Sequence, residues 1–461
     1  MMAIIRSADL IEGNGEIPAA LLRSCISEHR KGNNRINRLE EYYKGEQDIL
    51  KRDLGGEDKN LPNNKLVANH AKYITDVAVG YFAGDPVKYG GDGIDALTNA
   101  YKATDVVSHD AEMAKDLSMF GTARELYFMS RESVPKVTCI DLRQIFLVVD
   151  DSVEYRSLFG VHYYERRDIE NNVTGWTVNV YTDSKMYQYK PTAVETNDYG
   201  EAQVTDHYFK AVPIVEFWNN EEQQGDYEQQ ISLINAYNVL ASDRVNDKEQ
   251  FVDAILKLVG ASLGDDEAEA GKAIRLLKKY KVLELPGGVD ADASWLTKTL
   301  NEADTEVLRD AIKSDIHEFS MVPNLTDSNF AANASGVAMK YKLFGLEQLA
   351  KTKERYFIQG LRERMKVFAN ILSVKAQTVN VQNVTITMTR SLPSNDVETA
   401  SMIVQLTDHV SEETLISQLS FVDDPAKEIA AVNAQKEADI KRQQEAFSVP
   451  VGGDGGDANT E

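Results

Sequence analysis

The sequence predicts a mixed α+β fold that is mainly α-helical, and two kinds of periodicity carry that prediction. Apolar residues recur at helical spacing within residues 17–44, 229–260 and 301–374, the pattern of helices that bury one face. Between residues 124 and 189 the period changes to two, in short runs rich in Val, Tyr and Phe, as expected of half-buried strands. A largely helical chain with one β-rich region follows.

The charge composition argues against one class of protein, that which binds nucleic acid through a broad basic surface. The chain has 461 residues, 43% of them hydrophobic, and carries 73 acidic against 50 basic residues for a net charge of −23. This balance argues against a broad basic face that grips nucleic acid, because phosphate neutralisation needs clustered Lys and Arg. The charge is still compatible with a protein along which nucleic acid slides without binding tightly, because a negatively charged wall repels phosphates.

The cysteines and the apolar runs indicate the compartment that we expect for this protein. The only cysteines, Cys25 and Cys139, form no CxxC motif, which fits a reducing compartment. The N-terminal apolar stretch is too short for a signal peptide, and no apolar run approaches the ~20 residues that span a bilayer. We expect a soluble protein that is made in a cytoplasm and has no membrane partner.

The N-terminal half begins with helices and continues with strands. Helices are predicted over residues 17–44, from about 65 to 84, and over 94–121. His70 lies on an apolar stripe, which favours a core or interface histidine over a ligand. Asp150 and Asp151 follow a strand, where a turn is the better interpretation than a metal or acid/base site. The predicted strands are 124–130, 136–140, 145–149, 159–166, 174–181, 185–189 and 214–218.

The middle of the chain reads as a helical hairpin with an insert at its far end. One long helix is predicted over 229–260, and the polar residues 242–250 within it indicate exposure on several sides. The insert, 261–298, should contain a helix over 269–279, a strand over 281–285 and a second strand around Trp295. A second helix, 305–322, returns from the insert.

A polar break interrupts the helices between Asn301 and Val374. Leu308, Ile312, Ile316 and Phe319 form one apolar stripe, and Pro323 ends that helix because it lacks an amide proton. The following NLTDSNFAANAS contains no Lys or Arg and is rich in turn-forming Asn, Asp and Ser. A longer helix then runs to Val374. Further on we expect a strand at 379–390, helices at 396–406, 411–419 and 424–445, and a disordered tail.

Motifs for catalysis are missing. The sequence has no GxxxxGK[ST] loop, no HExxH and no GxSxG, so nucleotide hydrolysis, zinc proteolysis and serine hydrolysis have no visible site. The acidic run from Asp265 to Glu269 lacks the spaced ligands of a calcium loop. We expect no enzyme activity and no cofactor.

Two stretches carry a resemblance to a known family. NNKLVANHAKYITDVAVGYFAGDPVKY (63–89) and DSNFAANASGVAMKYKLFGLEQLA (327–350) resemble the portal proteins of long-tailed bacteriophages that infect Gram-positive bacteria. The resemblance implies a ring of twelve or thirteen subunits at one capsid vertex, assembled in the host cytoplasm, through which double-stranded DNA is packaged and ejected. The implied partners are the packaging motor (terminase), a head-to-tail adaptor, and capsid and scaffolding proteins.

The resemblance also implies a division of the chain into a β-containing wing, a long-helix stem, a small α/β clip, a tunnel loop and a helical crown. The implied regions are N-terminal arm and wing 1–228, outgoing stem helix 229–260, clip 261–298, return stem helix 299–322, tunnel loop 323–334, long helix and wing strand 335–395, crown 396–445 and tail 446–461.

Two groups of residues become candidate sites through this resemblance. Those expected to line the DNA channel are Asn324, Thr326, Asp327, Ser328, Asn329, Phe330 and Asn333. Those expected to dock the motor or the adaptor are Asp265, Asp266, Glu267, Lys278, Lys279 and Trp295. Residues 244–320 hold 11 Lys or Arg and 16 Asp or Glu, so a ring of this segment would present an electronegative channel with few phosphate anchors. The alternatives are a packaging enzyme, such as a motor ATPase or nuclease, and a capsid or tail component without a channel.

Overall fold

The computed structural model divides the chain into two compact units, residues 1–391 and 392–461, which are described separately. The residues described are 4–11, 16–53, 62–251, 255–259, 266, 268, 269, 271, 272, 274, 275, 292–296, 302–326, 336–390, 396–419, 422 and 425–447. A group of helices is followed by a run of strands and then mainly by helices, which confirms the mixed, mainly helical fold.

Five α-helices precede the β-rich region. They are α1 (Ala19–Lys31), α2 (Asn33–Lys44), α3 (His70–Ala83), α4 (Asp95–Ala103) and α5 (Val106–Phe120). The single helices expected over 17–44 and 94–121 are therefore each divided in two. Gly32 closes α1 with a bond from its amide to the His29 carbonyl, and Asp105 has a left-handed φ of 52° that interrupts the second helix.

The β-rich region contains the predicted strands with small changes in their ends. The strands are β1 (Ile4–Ile5), β2 (Lys88–Gly90), β3 (Thr122–Met129), β4 (Pro135–Cys139), β5 (Ile145–Val149), β6 (Ser157–Arg167), β7 (Val173–Tyr181), β8 (Lys185–Tyr189), β9 (Gln203–Asp206) and β10 (Ile214–Trp218). Strands β1, β2 and β9 were not predicted because they have two to four residues, too few for a period to show.

These strands form two larger sheets. The first has the order β1-β5-β6-β7-β8-β9 and is antiparallel apart from the β1/β5 pair. Its inner face packs against α1, where Leu22, Cys25 and Ile26 are buried. The second sheet has the order β10-β3-β4 and belongs to the main core. At the β5–β6 turn Asp150 accepts bonds from Ser152 and Arg156, which confirms a turn at this carboxylate pair.

The outgoing helix is shorter than expected. It is α6 (Ile231–Phe251), and a strand, β11 (Ile255–Val259), follows it and pairs antiparallel with β12 (Asp292–Leu296). The prediction of one helix over 229–260 is therefore wrong at its C-terminal end, where the Ile-Leu-Lys-Leu-Val run takes part in a β ladder instead. The strand expected at 281–285 lies outside the described residues.

The polar middle of α6 is buried on one side only: Ser242 and Asn246 are buried, whereas Asp243, Lys248 and Glu249 are exposed as predicted. The side-chain oxygens of Asn238, Ser242 and Asn246 accept bonds of 2.7–2.9 Å from the backbone amides of Ala68, Leu66 and Asn64 respectively. Successive acceptors on α6 are four residues apart, which is about 6 Å along the helix. Their donors are alternate residues of the segment 64–68, and two residues of an extended chain also advance about 6 to 7 Å. The segment therefore cannot be helical, and α3 begins only at His70, capped by Asn69.

The returning helix and its continuation complete the first unit. They are α7 (Glu302–Ser320), α8 (Gly336–Lys342), α9 (Phe344–Val374) and the strand β13 (Thr385–Thr387). The helix expected from residue 335 is interrupted at Leu343, and the strand expected over 379–390 contains only three residues, which pair with β2. Gly360 of α9 lies against the Phe217 ring, where an added Cβ would come within 2.3 Å, so its absence of a side chain permits the close packing of α9 on β10.

The second unit is helical. Its helices are α10 (Asp396–Leu406), α11 (Glu412–Ile416) and α12 (Pro425–Phe447). Ser411 accepts a bond from the Thr414 amide, which makes it the N-cap of α11. α11 is shorter than the helix expected over 411–419.

Candidate functional site

The segment that enters the predicted tunnel loop is anchored to α3. After α7 ends at Ser320, the Tyr73 hydroxyl donates to the Pro323 carbonyl at 3.1 Å and accepts from the Leu325 amide at 2.8 Å. His317 bonds to the Val322 carbonyl at 2.9 Å through Nδ1. The position at which the chain leaves α7 is thus set by side chains from α3 and α7.

Two histidines form the support beneath this anchor. The His317 ring lies 5.4 Å from Tyr73 and 5.7 Å from His70, and the His70 ring also packs against Tyr237 of α6. Burial, together with the nearby His317 and Lys313, lowers the pKa of His70 to about 4. A neutral His70 at an aromatic junction of three helices agrees with the core or interface role predicted from the sequence.

The predicted channel residues divide between the described and undescribed parts of the chain. Asn324 is half-buried and accepts bonds from the Thr326 amide at 3.2 Å and hydroxyl at 2.7 Å. Thr326 is exposed. These bonds form a local polar turn at the start of the loop. The other candidates, Asp327, Ser328, Asn329, Phe330 and Asn333, lie outside the described residues.

The chain that follows the loop is also attached to α3. Glu347 in the first turn of α9 accepts from the Tyr81 hydroxyl at 2.7 Å and from Arg390 at 3.1 Å. Arg390 also binds Glu354. Tyr73 and Tyr81 are eight residues apart and therefore lie on the same side of α3. One helix thus holds the chain both before and after the loop.

Two buried cations fasten α9 to the core. Lys353 binds Asp226, which also accepts from Ser118 and Asn219. Eleven residues later Arg364 binds Glu125 and lies 2.6 Å from Asp110.

In the cluster around Arg364, each charged group stabilises the charged state of its neighbour. Burial alone would raise the pKa of Glu125, but the charge of Arg364 and a bond from His109 lower it to about 2. Removing one member of such a buried pair typically costs about 3–5 kcal/mol. Sequence reasoning missed these residues, although Lys353 and Arg364 both fall on the apolar stripe that contains Phe357 and Leu361, and a charge on such a stripe is the signal that could have found them.

The candidate docking residues are only partly described. Asp266 is exposed and its carboxylate accepts a 2.8 Å bond from the Glu269 amide, which makes it a local cap. Trp295 stands opposite Leu256 in the β11/β12 ladder. Asp265, Glu267, Lys278 and Lys279 lie outside the described residues.

Two kinds of feature are absent from the described ranges. Within them, no group of three or more His, Cys, Asp or Glu side chains is placed to hold a metal ion. No helix among them is long and apolar enough to cross a membrane.

Comparison with known proteins gives a family. The family model described as "Phage portal protein, SPP1 Gp6-like" matches residues 22–442. The portal protein of Clostridium phage phiCD119 is 25% identical over 429 residues, which are 87% of this chain and 93% of that protein. The portal protein of Bacillus phage SPP1 is 25% identical over 460 residues, covering 94% of this chain and 88% of that protein.

A solved structure is similar at a lower level. It is the neck of an empty GTA particle, with a TM-score of 0.42 and 11% identity over 75% of this chain and 88% of that one. The family match extends over most of the sequence and includes both stretches that carry the resemblance. The chain therefore belongs to the SPP1 Gp6-like family of phage portal proteins.

Proposed function

We propose that this protein forms a closed ring of twelve subunits at one capsid vertex and that double-stranded DNA is packaged and ejected through its channel. The observation that carries the proposal is the family match over residues 22–442. A closed ring requires two different patches on each subunit. In this proposal the protein is a structural component of the virion, is assembled in the host cytoplasm and catalyses no reaction.

The fold suggests how the regions of such a subunit are distributed. The six-stranded sheet with α1 would form the wing, α6 and α7 the stem, and α10 to α12 the crown facing the capsid interior. The clip would begin at β11, earlier than residue 261, because β11 pairs with β12 of the insert. The tail, expected over 446–461, would begin only after Phe447, where α12 ends.

The loop at 323–334 would face the channel and touch DNA transiently. It contains no Lys or Arg, so it offers no strong phosphate anchor, while amide and hydroxyl groups such as Asn324 and Thr326 offer neutral hydrogen bonds. The net charge of −5 over residues 244–320 supports a wall from which phosphates are repelled. Such a channel would guide DNA without holding it.

The clip would carry the docking surface for the terminase and later for the head-to-tail adaptor. The exposed Asp266 lies in the described part of this region, and the same region contains the acidic Asp265 and Glu267 and the basic Lys278 and Lys279. Mixed charges of this kind steer association and set specificity more than they add affinity. Capsid and scaffolding proteins would contact the outside of the ring.

Negative-stain microscopy of the purified full chain tests this proposal. We expect rings of twelve or thirteen subunits with a central hole. Sheets, shells or monomers would overturn it and favour a capsid or tail component without a channel. ATP turnover or nuclease activity by the pure protein would instead support a packaging enzyme, so both assays are run on the same preparation.

A further inference from the structure

The longest helix of the protein presents an exposed basic face. Phe344, Lys351, Arg355, Arg362 and Lys366 of α9 fall within about 60° of one another around the helix axis, and all five are exposed. The basic residues extend over about 22 Å of helix. In a chain with a net charge of −23, a concentration of positive charge along one exposed face is unexpected.

Among the described residues, the arginines of this face lack ion-pair partners. Arg355 and Arg362 form no ion pair with any residue that the structure describes. Lys351 lies 3.6 Å from Glu347, and Lys366 binds Glu363, an acidic neighbour on the same side of α9. The opposite side of α9 is buried against the core through Lys353 and Arg364. The basic face therefore has charge that the described part of its own chain leaves uncompensated.

A second face, exposed except for the half-buried Asp315, has the opposite sign. On α7, the residues Asp304, Leu308, Asp315, Glu318 and Phe319 lie on one side of the helix, and its acidic positions extend over about 21 Å. Asp315 and Glu318 form no ion pair with the described residues. The nearby cation Lys313 lies on the opposite side of α7, where its charge helps to lower the pKa of His70. The acidic face of α7 thus matches the basic face of α9 in sign and in length.

Apolar side chains accompany both faces. Leu308 and Phe319 are 51% and 61% exposed, although the sequence pattern predicts that they are buried on one stripe with Ile316. Phe344 at the start of the basic face is 60% exposed. Large apolar groups next to uncompensated charge are typical of a surface that another protein covers. The core of the subunit therefore buries only part of the apolar stripe of α7, and Leu308 and Phe319 stay exposed.

We infer that the basic face of α9 binds the acidic face of α7 on the next copy of the chain. The inference rests on the proposed ring and identifies the two different patches that a heterologous, ring-closing contact needs. Charge complementarity favours a second copy as the occupant, because one chain supplies both signs over equal lengths. It would also fix the direction of the ring, since neither face can pair with its own kind.

Charge reversal tests the inference on the full chain. Arg355→Glu with Arg362→Glu leaves two acidic faces, and Asp315→Lys with Glu318→Lys leaves two basic ones, because every contact would then join like charges. We expect each double variant alone to lose the ring, or to need an at least about tenfold higher protein concentration to assemble. Arg131→Glu, at an exposed arginine of the β3–β4 turn, is the matched control and should assemble normally.

Mixing the two double variants is the decisive measurement. In an alternating ring each acidic α9 face meets a basic α7 face and each native α9 face meets a native α7 face. The mixture should therefore form rings that contain both variants, in equal numbers where the ring has twelve subunits, as read by native mass spectrometry. This rescue also shows that both variants fold.

Three outcomes overturn the inference. The first is normal assembly of each variant alone while the wild type forms rings, which leaves the ring proposal intact. The second is a mixture that fails to assemble although circular dichroism shows both variants folded. The third is a variant with Arg355→Glu and Arg362→Glu that assembles normally but binds a fluorescent DNA duplex more weakly, which would assign the basic face to nucleic acid. A wild-type chain that is monomeric at every concentration would instead refute the proposed function.

Discussion

At the scale of single residues, His29 shows how burial determines a protonation state. Its Nε2 lies 2.8 Å from the Leu142 carbonyl and its Nδ1 lies 2.9 Å from the Tyr163 hydroxyl. A carbonyl only accepts, so Nε2 donates and Nδ1 accepts from Tyr163. Burial and the charge of Arg124 lower the pKa of His29 to about 3. The ring is neutral and joins α1 to the Leu142 carbonyl, which precedes β5, and to β6 of the six-stranded sheet.

This histidine gives the protein a predictable sensitivity to acid. Between its ordinary pKa of 6.5 and about 3, the unfolded chain binds a proton that the folded chain does not. The free energy of unfolding therefore falls as the pH is lowered through this window, by about 1.4 kcal/mol per pH unit from this group. His29→Gln should remove that contribution, so urea unfolding between pH 5 and 7 should show a shallower pH dependence. His409→Gln, at an exposed site, is the control, and an unchanged slope for His29→Gln would contradict the prediction.

At the scale of elements, α6 owes its position to buried polar residues. Asn238 and Ser242 are fully buried, and their oxygens satisfy backbone amides of the segment that leads into α3. Gln47 also bonds to Asn238. The contact is therefore a ladder between a helix and an extended chain, in which side-chain oxygens replace the carbonyls of a neighbouring strand.

Removing one rung of this ladder should be costly. Ser242→Ala leaves the Leu66 amide without its partner in a half-buried position, which we expect to cost about 1–3 kcal/mol. Hydrogen exchange at the Leu66 amide should become faster while that in β6 stays unchanged. Asp243→Ala, which removes the partly exposed pair with Arg52 and a long bond of 3.5 Å from the Asn246 side chain but none of the bonds to the 64–68 amides, should cost at most about 1 kcal/mol. Equal losses for the two variants would show that the ladder contributes no more than a surface ion pair.

The same ladder explains where prediction from sequence succeeds and where it fails. Helices and strands that bury one face against the core, such as β8 and α9, follow from their periodicity. The burial of Ser242 does not, because its partner is a backbone amide some 176 residues away and backbone amides have no sequence signature. The strand Ile255–Val259 likewise depends on a partner at 292–296, so local pattern alone could not end the helix at Phe251.

At the scale of the whole molecule, the candidate site is also only partly encoded in local pattern. The polar break after Pro323 is visible in the sequence, and so is its lack of cations. Its attachment is not, because Tyr73 and Tyr81 lie about 250 residues earlier and read as ordinary members of a helix. Through them α3 connects the end of α7 with the start of α9. The loop is thus inserted between two fixed points of the first unit.

This arrangement predicts that the loop can be altered without loss of the ring. Deleting Asp327–Ala332 leaves the bonds of Tyr73 to Pro323 and Leu325, the bond of Tyr81 to Glu347, and both charged faces of α7 and α9. We expect normal rings by electron microscopy together with a severe loss of DNA packaged or retained in particles, measured as DNase-protected DNA. A variant in which the same six positions become alternating Gly and Ser keeps the chain length and serves as the companion if the deletion strains the connection. Normal DNA content in both variants would show that the segment has no role in the channel, and loss of the ring in the Gly-Ser variant would place these residues in the subunit interface instead.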